Sequence, residues 1–277
     1  MKPTLVIVLT VLLLCSQAVF AMANPLHISG ASTIQPILME AQAQFYQQTG
    51  IALDISGGGS GAGVQNVLRG SSQVGSVSRS LSQVEGQSLN QTLIGLDALV
   101  IIVDEKNLVT ELTKSELIQV FSGEVRNWSH LGGIDLPITV ISKEVGRSTL
   151  DLLESYSGLV SPQRVDAKGP FIATDVHIIG SNLEGLTLVA GIPGAIGYVS
   201  YGSALTLQEL GLPIKILVLD GVPPTREAIV DRSYPIIREL NMVYLEETEP
   251  ITMMMDFLLS EYGQSIVRRE GFVSVLP

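Results

Sequence analysis

"IALDISGGGSGAGVQNVL", residues 51–68, is the stretch on which the fold turns. Residues 51–55 read as a short apolar strand. Five glycines and two serines then fall within residues 55–63, and a helix is predicted from about residue 63 to 68. A strand, a glycine turn and a helix in this order form half of a strand–helix–strand unit, and the same order recurs outward in both directions. Upstream, residues 26–29 read as a strand and residues 33–48 as an amphipathic helix, with Ile34, Ile37, Leu38, Ala41 and Phe45 on one face and Gly50 as its stop. Downstream, residues 74–77 form a further strand.

The longest strand of this half is "LIGLDALVIIV", residues 93–103, followed by a helix at 114–121. Strands are predicted at 138–141, 195–199 and 214–219, and helices at 148–156 and 183–190. A second extended run occupies 234–244, and a helical segment closes the chain at 250–269. The alternation specifies an α/β fold with a parallel sheet covered by helices. No internal repeat or low-complexity linker is visible, so a division into domains requires the chain to cross and return. The two long strands are the natural crossings.

Lys2, the apolar run 5–20 and Ala21-Met22-Ala23 have the pattern of a secretory signal peptide, with cleavage expected after Ala23. Cys15 raises a lipoprotein alternative, but Leu14 before it is not the small residue such processing prefers. An uncleaved anchor is the remaining alternative. Cys15 is the single cysteine, so the mature chain has no disulfide framework or thiolate metal site. The formal net charge of −11 becomes −12 once Lys2 is removed, which argues against nucleic acid or an anionic membrane surface as partner. A local site for a small anion is compatible with that field.

Three chemistries compete for "GGGSGAG", residues 57–63. A nucleotide-phosphate loop needs Lys then Ser or Thr after its last glycine, and Val64-Gln65 stand there. The dinucleotide pattern is formally met by Gly57, Gly59 and Ala62, yet no acidic residue ends the next strand, where Ser76-Val77-Ser78-Arg79 occur. A nucleophile elbow at Ser60 is broken by Ala62, and a hydrolase also needs a positioned histidine. His27, His130 and His177 are the only histidines, and they are dispersed. No clustering of His, Asp and Glu suggests a metal, and no cofactor is implied. The third chemistry is a small anion facing the backbone amides of Ser60 and Gly61 at a helix N-terminus. A simple flexible loop or tight packing point competes with it.

Two further helix starts carry the same chemistry. "SGASTIQP" places Ser32 and Thr33 between strand and helix, as caps or as ligand hydroxyls. "SKEVGRSTLDLLE" places Gly146, Arg147, Ser148 and Thr149 at another start. A cation there opposes the helix dipole by about 0.3–1 kcal/mol, so Arg147 is poorly explained by helix stability. An anion between Arg147 and the amides resolves the conflict; pairing with Glu144 or Asp151 resolves it equally.

With these motifs in place, the chain resembles the phosphate-binding component of bacterial ABC importers, a branch of the type II periplasmic binding proteins. The resemblance rests on "SGASTIQP", "GGGSGAG", "VGSVSRSLS", "VFSGEVRNW", "SKEVGRSTLDLL", "GIPGAIGYVSYG" and "YPIIREL", in that order. It implies two α/β lobes, each a mainly parallel sheet flanked by helices, joined by two crossing strands: residues 24–98 plus 235–277, and residues 99–234. It further implies inorganic phosphate or a related oxyanion in the cleft, held by Ser32, Thr33, Ser60, Gly61, Ser78, Lys143, Gly146, Arg147, Ser148 and Thr149. Many members carry Arg where Lys143 stands, so either Lys143 or Arg147 supplies the main cation. Some carry Asp where Ser78 stands, a carboxylate that accepts a hydrogen bond from hydrogen phosphate and repels sulfate. Arg79 is read as a rim charge. A monomeric, non-enzymatic periplasmic protein delivering its ligand to a membrane ABC permease by hinge closure is expected. An oxyanion sensor, an extracellular interaction protein and a secreted hydrolase using Ser60 are the alternatives.

Overall fold

The computed structural model describes residues 24–276; the proposed leader and its cleavage site lie outside them. Strand β1 (Leu26–Gly30) is followed by helix α1 (Gln35–Thr49), β2 (Leu53–Ser56), α2 (Ser60–Leu68), β3 (Val74–Val77), α3 (Gln83–Ser88) and the long β4 (Asn90–Asp104). Next come β5 (Glu111–Leu112), α4 (Lys114–Ser122), β6 (Thr139–Lys143), α5 (Ser148–Ser157), β7 (His177–Ile179), α6 (Asn182–Gly191), β8 (Ala195–Ser200) and α7 (Tyr201–Glu209). The chain ends with β9 (Ile214–Ile216), β10 (Val218–Leu219), α8 (Arg226–Val230), β11 (Ile237–Tyr244), α9 (Glu249–Leu259), α10 (Glu261–Arg269) and β12 (Val273–Ser274).

The principal sheet runs β2-β1-β3-β11-β4-β8-β6-β7. β1 pairs in parallel with β2 and β3, and β6 with β7 and β8. Between these parallel groups, β11 is antiparallel to β3 and β4, and β4 is antiparallel to β8. The fold is therefore α/β with a mixed sheet, in two lobes. β4 serves both: residues 90–98 face β11, whereas residues 99–103 face β8. Ala98 to Val103 have no exposed area, as a strand covered on both faces requires.

Two apolar cores meet along this line. One gathers Trp128, Phe121 and Tyr198 with Ala98 to Val103, and the other gathers Phe45, Phe257 and Ile28 with Ile94. The returning chain makes the same change: Tyr234 and Ile236 pack in the first core, Leu240 and Met242 in the second.

Some boundaries depart from the sequence pattern. The strand expected at 214–219 breaks at Leu217, because β9 pairs with β4 while β10 pairs with β5. The helical segment 250–269 is two helices: Ser260 turns extended, and its hydroxyl accepts the Gly263 N–H to start α10. α2 begins at Ser60, earlier than expected, because Gly59 at φ +90° completes the turn. α3 and α7 carry no clear apolar period and escaped the pattern. Among the described residues no helix is long and apolar enough to cross a membrane.

Candidate functional site

Three loops that lead into helices converge on one point between the lobes. The first leaves β1 at Gly30. Its turn, in which Ile34 N–H donates to Ala31 O at 3.1 Å, delays α1 until Gln35. Thr33 consequently does not cap the helix. Its Oγ1 accepts from Asn182 Nδ2 and from Arg238 Nη2, both at 3.1 Å. With its acceptor capacity used by two N–H groups, the Thr33 hydroxyl hydrogen is left to donate.

The second loop is the glycine stretch. Gly63 lets α2 lie directly on the sheet: a Cβ there meets Ser29 O at 2.9 Å and Ser76 O at 3.0 Å. Gly59 has a different reason, because its Cβ would meet Gly146 O of the other lobe at 2.8 Å. This arrangement seats Ser60, fully buried, at the first position of α2. Ser60 Oγ accepts the Ser78 N–H at 3.0 Å and lies 3.5 Å from the Ser78 hydroxyl, so its hydrogen can turn to that hydroxyl or into the cavity. Ser78, just past β3, places its hydroxyl 2.6 Å from that of Ser148 across the cleft.

The third loop joins β6 to α5. Arg147 is the N-cap of α5 but makes no side-chain cap, and the first N–H groups of the helix have no intrahelical partner. Thr149 Oγ1 accepts from Arg238 Nη1 at 3.2 Å. Ser32, Thr33, Ser60, Ser78, Lys143, Arg147, Ser148 and Thr149 all line one small cavity of about 10 Å³, together with Ala31, Gly59, Gly180 and Asn182. Gly61 and Gly146 stand beside it and meet each other instead: Gly61 N–H donates to Gly146 O at 3.3 Å, bridging the lobes.

Its cations are not equivalent. Arg147 pairs with Glu144 at 2.7 Å, one of the pairings weighed from the sequence. Asp151 instead takes Arg164 at 2.5 Å. Arg79 is held bidentately by Glu85 at 2.8 Å and is absent from the lining, so it sits as a paired rim charge. Lys143 is buried, with Nζ donating to Ser181 O at 2.5 Å. Burial, followed by the nearby Arg238 charge, brings its pKa down to about 7.

Arg238 was not among the predicted site residues. It lies on β11 opposite Asp97 of β4, and both side chains have no exposed area. Asp97 accepts from Arg238 at 2.7 Å, from the Ser200 hydroxyl at 2.7 Å and from Gly202 N–H at 3.1 Å. So fixed, the guanidinium touches Thr33 of one lobe and Thr149 of the other. Asn182, at the start of α6, was likewise not anticipated. The lining as a whole offers hydroxyl, amide and cationic donors and contains no carboxylate, a donor set suited to an acceptor-rich, negatively charged ligand.

Residues 17–260 match the family model described as a PBP superfamily domain. The phosphate-binding protein PstS of Borreliella burgdorferi is 28% identical over 90% of this chain and 89% of that protein. The phosphate-binding protein PstS of Bacillus subtilis is 29% identical over 91% of this chain and 81% of that protein. Among solved structures, a Clostridium perfringens substrate-binding protein with bound phosphate superimposes with a TM-score of 0.81 at 30% identity, covering 91% of this chain and 99% of that one. An ABC-type phosphate transport receptor from Vibrio cholerae does so with a TM-score of 0.72 at 25% identity, covering 90% of this chain and 99% of that one. On the extent of these matches, this chain belongs to the PBP superfamily and, within it, to the PstS-like substrate-binding proteins.

Proposed function

We propose that this protein binds phosphate between its two lobes and presents it to a membrane ABC permease, acting as a monomer outside the cytoplasmic membrane after removal of residues 1–23. The lobes in this reading are residues 24–98 plus 235–277, and residues 99–234. The observation that carries the reading is the convergence of buried hydroxyls from both lobes, with Arg238 bonded to one from each. The phosphate-binding relatives and the phosphate-bound structural neighbour support the choice of anion.

In this account Thr33, Ser60, Ser78, Ser148 and Thr149 donate hydroxyl hydrogens to the anion. Lys143, Arg147 and Arg238 supply positive charge, and the α5 amides near Gly146 supply backbone donors. Gly61 contributes through the interlobe bond to Gly146. The cavity of about 10 Å³ is on the order of one water's space, so the Ser78–Ser148 contact must part for a four-oxygen anion to sit between them. Lobe opening and reclosure therefore belong to the binding cycle. No catalysis is assigned: Ser60 Oγ is engaged by the Ser78 N–H, and no histidine lines the cavity.

Titration calorimetry with phosphate, sulfate and arsenate tests this reading. Phosphate is expected to bind, and Ser78→Ala to weaken it by about 10- to 100-fold, as for a lost hydrogen bond to a charged group. Silence with all three anions defeats the function. Turnover of a chromogenic ester panel that Ser60→Ala abolishes defeats the binding-only role.

A further inference from the structure

Lys143, the last residue of β6, is 2% exposed and lines the anion cavity. Among the described residues its ammonium has one hydrogen-bond acceptor, Ser181 O. An ammonium carries three donors, and a buried one without a counter-ion is costly. The groups facing it deepen that deficit. From β11 comes Arg238, whose own partner Asp97 on β4 is saturated by three donors. From the loop before α5 comes Arg147, already paired with Glu144.

Among the described residues Glu184 of α6 is the one favourable carboxylate, and it accepts the Gly180 N–H. β8 presents only the Tyr198 hydroxyl, which accepts the backbone N–H of Lys143. β7 presents Ile179 opposite Lys143, with His177 exposed at its far end. On α5 the carboxylates Asp151 and Glu154 are both bound by Arg164. Burial and these like charges hold the ammonium near its titration point at neutral pH.

We propose that Lys143 is the proton-linked cation of the site: the oxyanion enters together with one solvent proton, which the Nζ lone pair takes up, and affinity falls as the solution turns alkaline. The inference rests on the anion-binding reading above. In the free site Lys143 loses its proton as pH rises through about 7. A dianion within a few ångströms holds that proton to higher pH. Between those two midpoints binding carries a proton with it, and Kd rises about tenfold per pH unit. An arginine at this position would stay charged throughout.

The test compares wild type with Lys143→Arg. Phosphate Kd values are measured for both from pH 6 to 9, and their ratio is formed so that the ligand's own ionisation cancels. The ratio of wild type to variant is expected to be flat below pH 7 and to rise above it by about tenfold per unit. Calorimetry at pH 8 in buffers of different ionisation heat should show wild type taking up more protons than the variant. A flat ratio with both proteins binding overturns the proposal and leaves phosphate binding standing; no binding of phosphate, sulfate or arsenate by wild type removes both.

Where Arg does not fit and the variant fails to bind, the wild type alone decides. The ¹³Cε resonance missing from Lys143→Met is titrated with and without saturating phosphate. A midpoint that rises with phosphate supports the linkage, and identical midpoints overturn it.

Discussion

Replacing Arg238 by methionine should destabilise the ligand-free protein by about 3–5 kcal/mol, because it removes one partner of a fully buried ion pair and strands the other. Both side chains are without exposed area at 2.7 Å, and Arg238 Nε adds a second bond to Asp97 at 2.8 Å. Without the guanidinium, Asp97 keeps only the Ser200 hydroxyl and the Gly202 amide. In a protein of this size that loss corresponds to a melting-temperature decrease of about 10 °C. The double variant Asp97→Leu/Arg238→Met removes both charges and should recover most of the stability, since apolar replacement of a buried pair is often neutral. It should not recover phosphate affinity, because Thr33 and Thr149 lose the donor that orients them. Thermal and urea unfolding of the four proteins of the cycle supply the numbers. A single variant within about 1 kcal/mol of wild type, or a double variant no better than the single, would show that the buried pair does not set the stability in this way.

Gly59→Ala, which sets a Cβ 2.8 Å from Gly146 O at φ +90°, should weaken phosphate binding by hindering closure; small-angle scattering should show less compaction on adding phosphate than in wild type. Ser78→Asp places a carboxylate in a lining that lacks one, and competition titrations should show sulfate losing more affinity than hydrogen phosphate. Hydrogen bonding from Arg79 holds the Glu85 carboxyl at about 2, well below the ordinary value of about 4.3. Its stabilising contribution is therefore complete above the ordinary value and is lost as pH falls from there through about 2. The pair is partly solvated, so Glu85→Gln should cost no more than about 1 kcal/mol at pH 7, and the difference from wild type in unfolding experiments should shrink between pH 5 and 2.

Much of the site was legible because its parts are local. Glycine, serine and threonine between a strand and a helix mark a loop whose amides and hydroxyls point outward, and the three loops around Thr33, Ser60 and Ser148 could be found one at a time. What joins them is non-local. Arg238 sits in "YPIIRELNMVY" and Asp97 in "LIGLDALVIIV", each a charge within a mostly apolar run, and these opposite charges were the available signal. Their pairing depends on the register of two strands 141 positions apart at these residues, which neither strand specifies by itself. The choice between Lys143 and Arg147 was open for the same reason: adjacency to Glu144 leaves Arg147 paired near the surface, whereas burial of Lys143 follows from α6 packing over β6.

Anomalous diffraction from crystals grown with arsenate, a phosphate analogue, locates the bound oxyanion. A single arsenic peak is expected between the lobes, within hydrogen-bond reach of the Ser78 and Ser148 hydroxyls and of Lys143 Nζ, with the Ser78–Ser148 contact of 2.6 Å opened. A peak elsewhere on the molecule, or none at saturating arsenate, would contradict binding of the anion between the lobes.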